Sequence, residues 1–131
     1  MEGGCFCGAI RFRIDGPRRR TTHCHCIHCR RLSGAPFVTW VETTRAGFRV
    51  LSGTMASVES RPGIARRFCG SCGTPIAYEN AGTPESIDIT ACSLDDPSLV
   101  VPEDHVWSDR MLSWVKLDDG LPCYRKSRKD G

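Results

Sequence analysis

Apolar and polar residues alternate along several short stretches of this chain, which is the pattern of half-buried β-strands. The alternation is clearest at residues 9–14 and 86–91. Further strands rich in β-branched and aromatic residues are predicted between glycine and proline positions, at residues 37–41, 48–51, 55–60, 64–68 and 76–78. The pattern therefore predicts a mostly-β fold with little helix.

Helical signals are few. One helical turn is predicted at residues 30–34, where Gly34 closes the turn and Pro36 prevents its continuation. Residues 18–20 form a basic run that we interpret as a solvated loop. Short extended pieces are expected later in the chain, at residues 99–101, 105–107 and 112–115.

The length of the chain indicates one folding unit, since 131 residues is the size of an ordinary domain. We find no internal repeat and no linker in the sequence. The prediction is a single domain over residues 1–124, followed by a polar tail at residues 125–131 that we expect to be frayed.

Charge and hydropathy narrow the classes of partner. The net charge of +3 is weaker than a nucleic-acid-binding surface needs, so nucleic acid is not the expected partner, whereas a small anionic ligand suits it. No apolar run reaches the roughly 18–20 residues of a membrane span. The first residues have neither the basic nor the apolar region of a secretory signal, and we expect a cytoplasmic protein whose oligomeric state the sequence leaves open.

The nine cysteines change this picture, because seven of them lie in close clusters. A disulfide framework would be expected with an export signal and an even number of cysteines. Close clusters instead indicate metal sites. They are the pair Cys5 and Cys7, the run Cys24, Cys26 and Cys29, and the pair Cys69 and Cys72.

The seven clustered cysteines are too few to form two zinc sites with four cysteine ligands each. A structural zinc site is closed by four ligands, whereas a catalytic one keeps three protein ligands and an open position. The simplest partition joins Cys5 and Cys7 with the distant pair Cys69 and Cys72 in a closed site. The run from Cys24 to Cys29 is then an open site, and we expect two zinc ions per chain.

Other residues leave alternatives open at this second site. His23, His28 or Cys92 can supply a fourth ligand and close it. His25 lies between two ligands in an extended stretch, so its side chain should face away. Otherwise Cys92 is expected to be a small buried apolar residue in its strand, because it continues an alternating pattern.

A site of three thiolates has a definite chemical preference. Three thiolates and one zinc ion carry a net charge of −1, which favours another soft ligand such as the thiol of a substrate. Zinc would deprotonate that thiol and make it a nucleophile. Arg30 and Arg31 follow the run directly and are candidates for binding a substrate carboxylate or for balancing the charge of the site.

Three motifs in this order resemble those of a known family. They are Gly-Gly-Cys-Phe-Cys-Gly at residues 3–8, Cys-His-Cys-x-x-Cys-Arg-Arg at 24–31 and Phe-Cys-Gly-x-Cys-Gly-Thr-Pro at 68–75. Together they are similar to the glutathione-dependent formaldehyde-activating enzymes, a family that includes the centromere protein V domain. The likeness covers about residues 3–122.

The resemblance implies several small coiled antiparallel β-sheets stapled by zinc. It implies a structural zinc at the four-cysteine set and a reactive zinc at Cys24, Cys26 and Cys29. The implied activity is a carbon–sulfur lyase that joins or separates glutathione, or a similar thiol, and formaldehyde or another small aldehyde. The alternatives are a non-catalytic thiol carrier and a zinc-stapled interaction module.

Overall fold

The computed structural model describes residues 1–130; Gly131, the last residue of the predicted tail, lies outside them. Within these residues ten β-strands form two sheets, with one short α-helix. The strands are β1 Glu2–Gly4, β2 Arg11–Ile14, β3 Arg18–Cys24, β4 Val38–Thr44, β5 Phe48–Ser52, β6 Ala56–Arg61, β7 Ile64–Phe68, β8 Pro75–Asn80, β9 Ser86–Thr90 and β10 Asp104–Val106. The mostly-β prediction is confirmed.

The two sheets differ in size and in strand direction. The small sheet has the order β1-β2-β5, and the large sheet has the order β10-β3-β4-β9-β8-β7-β6. Neighbouring strands are antiparallel except β10 and β3, which run parallel. The parallel pair brings a late segment of the chain beside the strand that ends at Cys24, with Val106 opposite it.

The main core lies where the small sheet packs on the large one. Phe12 of β2 is fully buried, and its ring centroid lies 5.5 Å from that of Phe48. Val41 and Ile89 from the large sheet belong to the same buried cluster. The alternation that predicted β2 thus corresponds to a strand with one buried and one partly exposed face.

The opposite face of the large sheet carries a second buried cluster. Because successive residues of a strand point to opposite faces, Trp40 lies on this face and its neighbour Val41 lies in the main core. Trp40 packs here with Cys24, Cys29 and Val106. The central run of cysteines therefore sits on the face of the large sheet that the small sheet leaves open.

The single α-helix, α1, spans Ile27–Ser33 and starts earlier than the sequence predicted. Its N-cap is Cys26, whose sulfur accepts a hydrogen bond of 3.3 Å from the backbone N–H of Cys29. A thiol replaces the usual hydroxyl or carboxylate cap, which is why sequence patterns did not place the helix start here. Gly34 ends the helix in the left-handed conformation, as predicted, with φ of 69°.

Several other expectations need correction. The basic run at residues 18–20 begins β3 instead of forming a loop. Cys92 is exposed, because the chain leaves β9 after Thr90 and turns into a 3-10 helix at Ala91–Ser93. Residues 112–115 form no strand, and Pro97–Leu99 is a 3-10 helix.

The described part of the tail contacts the body of the protein. Arg128 forms an ion pair with Asp104 of β10 at 2.5 Å, and the backbone N–H of Trp107 donates to the carbonyl of Lys126. These contacts join residues 126–128 to the end of β10; the frayed character of the tail as a whole stays a prediction. Further 3-10 helices are Arg45–Gly47, Ser108–Arg110 and Arg128–Asp130. Within residues 1–130, every helix is too short to cross a bilayer.

Candidate functional site

The first cysteine cluster joins the N-terminal segment to the turn between β7 and β8. The sulfurs of Cys5, Cys7, Cys69 and Cys72 all lie within 4.8 Å of one another. The Cys5 and Cys7 sulfurs are 3.5 Å apart, and those of Cys7 and Cys69 are 3.8 Å apart. Four thiolates around zinc, with Zn–S bonds of about 2.3 Å, lie about 3.8 Å from one another. The cluster can therefore hold a tetrahedral metal ion.

Hydrogen-bond donors favour the thiolate form of two cysteines in this cluster. The N–H of Ile10 donates to the sulfur of Cys5 at 3.2 Å, which lowers the pKa of the Cys5 thiol. The hydroxyl and the backbone N–H of Thr74 lower the pKa of Cys72 to about 5. These donors favour the thiolate form of Cys5 and Cys72. Although the backbone of Ala9 lowers the pKa of Cys7, its hydrogen bond with Cys5 and its burial raise that pKa to about 11.

The second cluster consists of Cys24, Cys26 and Cys29, whose sulfurs also lie within 4.8 Å of one another. Cys24 ends β3, Cys26 caps α1, and Cys29 lies in the first turn of that helix. Among residues 1–130 no fourth cysteine, histidine, aspartate or glutamate joins this set. Cys26 is partly exposed, whereas the other two are buried, so the cluster is accessible from one side.

Arg66 and Trp40 contact the second cluster from the large sheet. The indole N–H of Trp40 donates to the sulfur of Cys29 at 3.4 Å, and the Arg66 guanidinium donates to the same sulfur at 3.6 Å. The pKa of the Cys26 thiol is lowered because Cys24 and Cys29 donate hydrogen bonds to its sulfur, and the charge of Arg66 lowers it further. The charge of Arg66 therefore favours the thiolate form of Cys26, whereas the hydrogen bonds with Cys26 and Cys29 raise the pKa of the Cys24 thiol.

A cavity of about 380 Å³ opens beside the second cluster. Its volume is within the range of small-ligand sites. The cavity has a mixed polar lining that includes five arginines and two carboxylates as well as the three cysteines: Arg20, Arg61, Arg66, Arg110, Arg128, Glu42 and Asp88. A small polar molecule carrying charges of both signs therefore fits this lining.

The histidines near the run do not close the second cluster. His25 is fully buried and faces His105, with 2.8 Å between His25 Nε2 and His105 Nδ1. His23 Nδ1 lies 2.8 Å from the hydroxyl of Thr39. His28 is exposed and lines the cavity. None of these side chains lies within 4.8 Å of all three sulfurs, and the exposed Cys92 does not either.

Arg30 and Arg31 lie on a different surface from the cavity. Their side chains line a separate depression beyond α1, together with Leu112 and Trp114. Their expected role in binding a substrate carboxylate stays a prediction. The arginines of the cavity itself are better placed for that role, because they share its lining with the cysteines.

The protein matches a family model described as "Glutathione-dependent formaldehyde-activating enzyme" over residues 1–110. The chain belongs to this family. The resemblance carried by the three cysteine motifs is thereby confirmed, since all three motifs lie within the matched residues. The limits of the domain at residues 1–124 stay a prediction.

Two relatives of the chain are similar over much of its length. A Halomonas elongata protein named "Putative glutathione-dependent formaldehyde-activating enzyme" is 27% identical over 128 residues, which cover 90% of this chain and 81% of that protein. An uncharacterized lyase of Schizosaccharomyces pombe is 29% identical over 89 residues, or 66% of this chain and 64% of that protein.

The fold has also been solved in another protein. A crystal structure of a Rhodobacter sphaeroides protein superposes with a TM-score of 0.61 and 20% sequence identity, covering 94% of this chain and 99% of that chain. At this identity the likeness concerns the fold alone.

In this member of the glutathione-dependent formaldehyde-activating enzyme family, the sequence motifs identified the cysteines of both clusters. They did not identify most of the residues that surround the second cluster. Arg66 is an ordinary basic residue of a predicted strand, and no local signal marks its contact with Cys29. The contact of His25 with His105 joins residues 80 positions apart. Asp88 and Glu42 also occupy alternating strand positions, which indicate a face of the sheet but not a cavity.

Proposed function

We propose that this protein is a zinc-dependent carbon–sulfur lyase, forming or cleaving the adduct of a thiol with a small aldehyde. Glutathione, or a thiol of similar chemistry, and formaldehyde are the proposed substrates. The observation that carries the proposal is the convergence of three sulfurs without a fourth side-chain ligand among residues 1–130. The likeness to relatives named as a formaldehyde-activating enzyme and as a lyase supports it.

The donor set of the second cluster fits zinc. Three sulfurs within 4.8 Å of one another, on an accessible side of the sheet, match the ligand type and number of an open zinc site. When bound, zinc would supply a fourth coordination position that takes a thiol and lowers its pKa. Cys24, Cys26 and Cys29 are the residues proposed to hold it.

The residues around the cluster have separate proposed tasks. Trp40 and Arg66 donate to the sulfur of Cys29, which keeps that thiolate in place and reduces the negative charge of the cluster. The arginines of the cavity attract the carboxylates of the thiol substrate. In the addition, the substrate sulfur forms a bond to the aldehyde carbon, and the carbonyl oxygen takes up the proton that the thiol has lost.

The first cluster has a structural task in this proposal. A second zinc ion held by Cys5, Cys7, Cys69 and Cys72 would join the β1–β2 connection to the β7–β8 turn, segments more than 60 residues apart. The proposal is therefore two zinc ions per chain with different functions. A reducing, cytoplasmic location is consistent with nine cysteines that are all unpaired within residues 1–130.

Exchange NMR on the zinc-loaded protein tests the proposal. We expect the protein to speed the exchange between glutathione with formaldehyde and their S-hydroxymethyl adduct beyond the uncatalysed rate. The variant Cys24→Ser should lose this acceleration. Cys92→Ser is the matched control, because Cys92 is exposed and lies outside both clusters, and it should keep the acceleration.

Two results would contradict the proposal. If the exchange with zinc-loaded protein is no faster than the uncatalysed exchange, the protein is not a lyase for these substrates. If calorimetry then detects glutathione binding, the protein is a thiol carrier; if it detects none, an interaction module stabilised by zinc is left. Retained acceleration in Cys24→Ser would place the chemistry outside the second cluster.

A further inference from the structure

One row of cross-strand neighbours crosses the large sheet along the cavity. In strand order it contains Arg20, Glu42, Asp88, Tyr78 and Arg66. All five residues line the cavity that also contains the second cysteine cluster. Since neighbours in such a row project from the same face of a sheet, their side chains meet a ligand together.

The centre of this row is acidic. Glu42 of β4 and Asp88 of β9 are directly opposite each other on neighbouring strands. Two like charges in such a position destabilise a sheet unless a cation lies between them. Among residues 1–130 the Asp88 carboxyl accepts no hydrogen bond, and the charges that act on it are those of Glu42, Arg66 and Arg128.

Glu42 has weak partners within the chain, since Arg19 lies 4.0 Å from its Oε1 and the hydroxyl of Ser86 donates to the same oxygen at 3.4 Å. The arginines that line the cavity near Asp88 are engaged elsewhere. The Arg66 guanidinium lies over the ring of Tyr78, at 5.1 Å from its centroid, and donates to the sulfur of Cys29. Arg128 and Arg20 lie 2.5 Å and 3.6 Å from Asp104, on the other side of Glu42. The acidic pair therefore keeps a preference for a cation from outside the chain.

We propose that Asp88 and Glu42 bind the ammonium group of the thiol substrate, so that the site selects thiols with a free amino group. The inference rests on the proposed function, because it takes the cavity beside the cysteines as the place where the thiol binds. An ammonium group offers three donors to two facing carboxylates. Arg61 and Arg110, exposed at the same cavity, are available for the carboxylates of an amino-acid-like thiol.

A metal ion fits the acidic pair less well than an ammonium group. Within residues 1–130 no third histidine, cysteine or carboxylate completes a metal-binding set with Asp88 and Glu42. The local electrostatics agree with a cationic ligand: burial, and then the charge of Glu42, raise the pKa of Asp88 to about 7. A bound ammonium group would offset both effects.

A comparison of matched ligands and variants tests the inference. Calorimetry with the zinc-loaded protein would measure binding of glutathione and of N-acetylglutathione, which keeps the thiol and both carboxylates but lacks the ammonium charge. We expect N-acetylglutathione to bind about 10- to 100-fold more weakly, since a lost charge-assisted hydrogen bond has this effect. Asp88→Asn should weaken glutathione binding by a similar factor and leave N-acetylglutathione binding within about twofold.

The control is Glu85→Gln, an exposed carboxylate just before β9, which should leave both affinities unchanged. A thermal melt shows whether Asp88→Asn is folded, and Glu42→Gln offers a second variant with the same expected result. Equal affinities for the two ligands would overturn this inference and leave the lyase proposal standing. No binding of either ligand would overturn both.

Discussion

The rings of His25 and His105 share a hydrogen bond of 2.8 Å, although the two residues are 80 positions apart. His105 in turn contacts the Asp119 carboxylate at 2.7 Å through its other nitrogen. His25 lies between Cys24 and Cys26 in the chain but points away from them. The chain of hydrogen bonds therefore fixes the backbone between two cysteines of the second cluster from the side away from the cavity.

Removing His105 should destabilise the fold. His105→Ala leaves a gap at a side chain that is 1% exposed, and it leaves the fully buried His25 without this partner. We expect the free energy of unfolding to fall by about 2–4 kcal/mol, measured by urea denaturation. His28→Ala is the control, because His28 is exposed, and its effect should stay within about 0.5 kcal/mol. Equal effects of the two variants would contradict this account.

Two phenylalanines near the N-terminus should differ sharply in their importance for stability. Phe12 is fully buried between the sheets, whereas Phe6 is 94% exposed. Phe12→Ala is expected to cost about 3–5 kcal/mol of unfolding free energy, because it leaves a cavity in the main core. Phe6→Ala should change stability little, with the zinc content held equal. A similar loss in both variants would show that the packing described for Phe12 is wrong.

The two cysteine clusters should respond differently to substitution. We expect two zinc ions per chain in the wild type by elemental analysis, and about one in a folded Cys24→Ser variant. Cys69→Ser should unfold the protein, since a structural zinc contributes on the order of 10 kcal/mol of apparent binding energy. Circular dichroism and metal content would be measured together, with Cys92→Ser as the control. An unfolded Cys24→Ser, or a stable Cys69→Ser, would reverse the proposed roles.

The pH dependence of stability should contain a contribution from Asp88. Its pKa rises from 3.8 to about 7 because of burial and the charge of Glu42, while Arg66 and Arg128 act in the opposite direction. Between about pH 4 and pH 7 the folded state keeps a proton that the unfolded chain has released, so stability falls as pH rises. The variant Asp88→Asn has no carboxyl proton to release at this position, so it should not lose stability in this way as the pH rises.

We therefore expect Asp88→Asn to be more stable than the wild type at about pH 8, by roughly 1–2 kcal/mol after allowance for water in the cavity. The difference should shrink as the pH is lowered towards about 5.5. Urea denaturation at both pH values measures it, and Glu85→Gln controls for general effects of lost charge. A difference that grows at low pH would have the wrong sign for a raised pKa.

The sequence by itself determined the features that depend on local chain geometry. The spacing of Cys24, Cys26 and Cys29 is short enough that the backbone can bring three sulfurs together, and the structure places them within 4.8 Å. The alternation at residues 86–91 predicted β9 correctly except at its end, where the chain turns and exposes Cys92. Gly34 likewise marked the end of α1 through its own conformational freedom.

Only the tertiary structure decided which distant residues surround the cysteines. The neighbours of Cys29, His25 and Asp88 are Arg66, His105 and Glu42. Strand order and register bring Glu42 to Asp88, and the packing of α1 and of the residues after β3 on the same sheet brings the other two pairs together. Register is set by the packing of the whole sheet, because a shift of one residue would turn every side chain of a strand to the other face. Short sequence patterns do not specify the register. They do specify which cysteines are close enough in the chain for their sulfurs to meet.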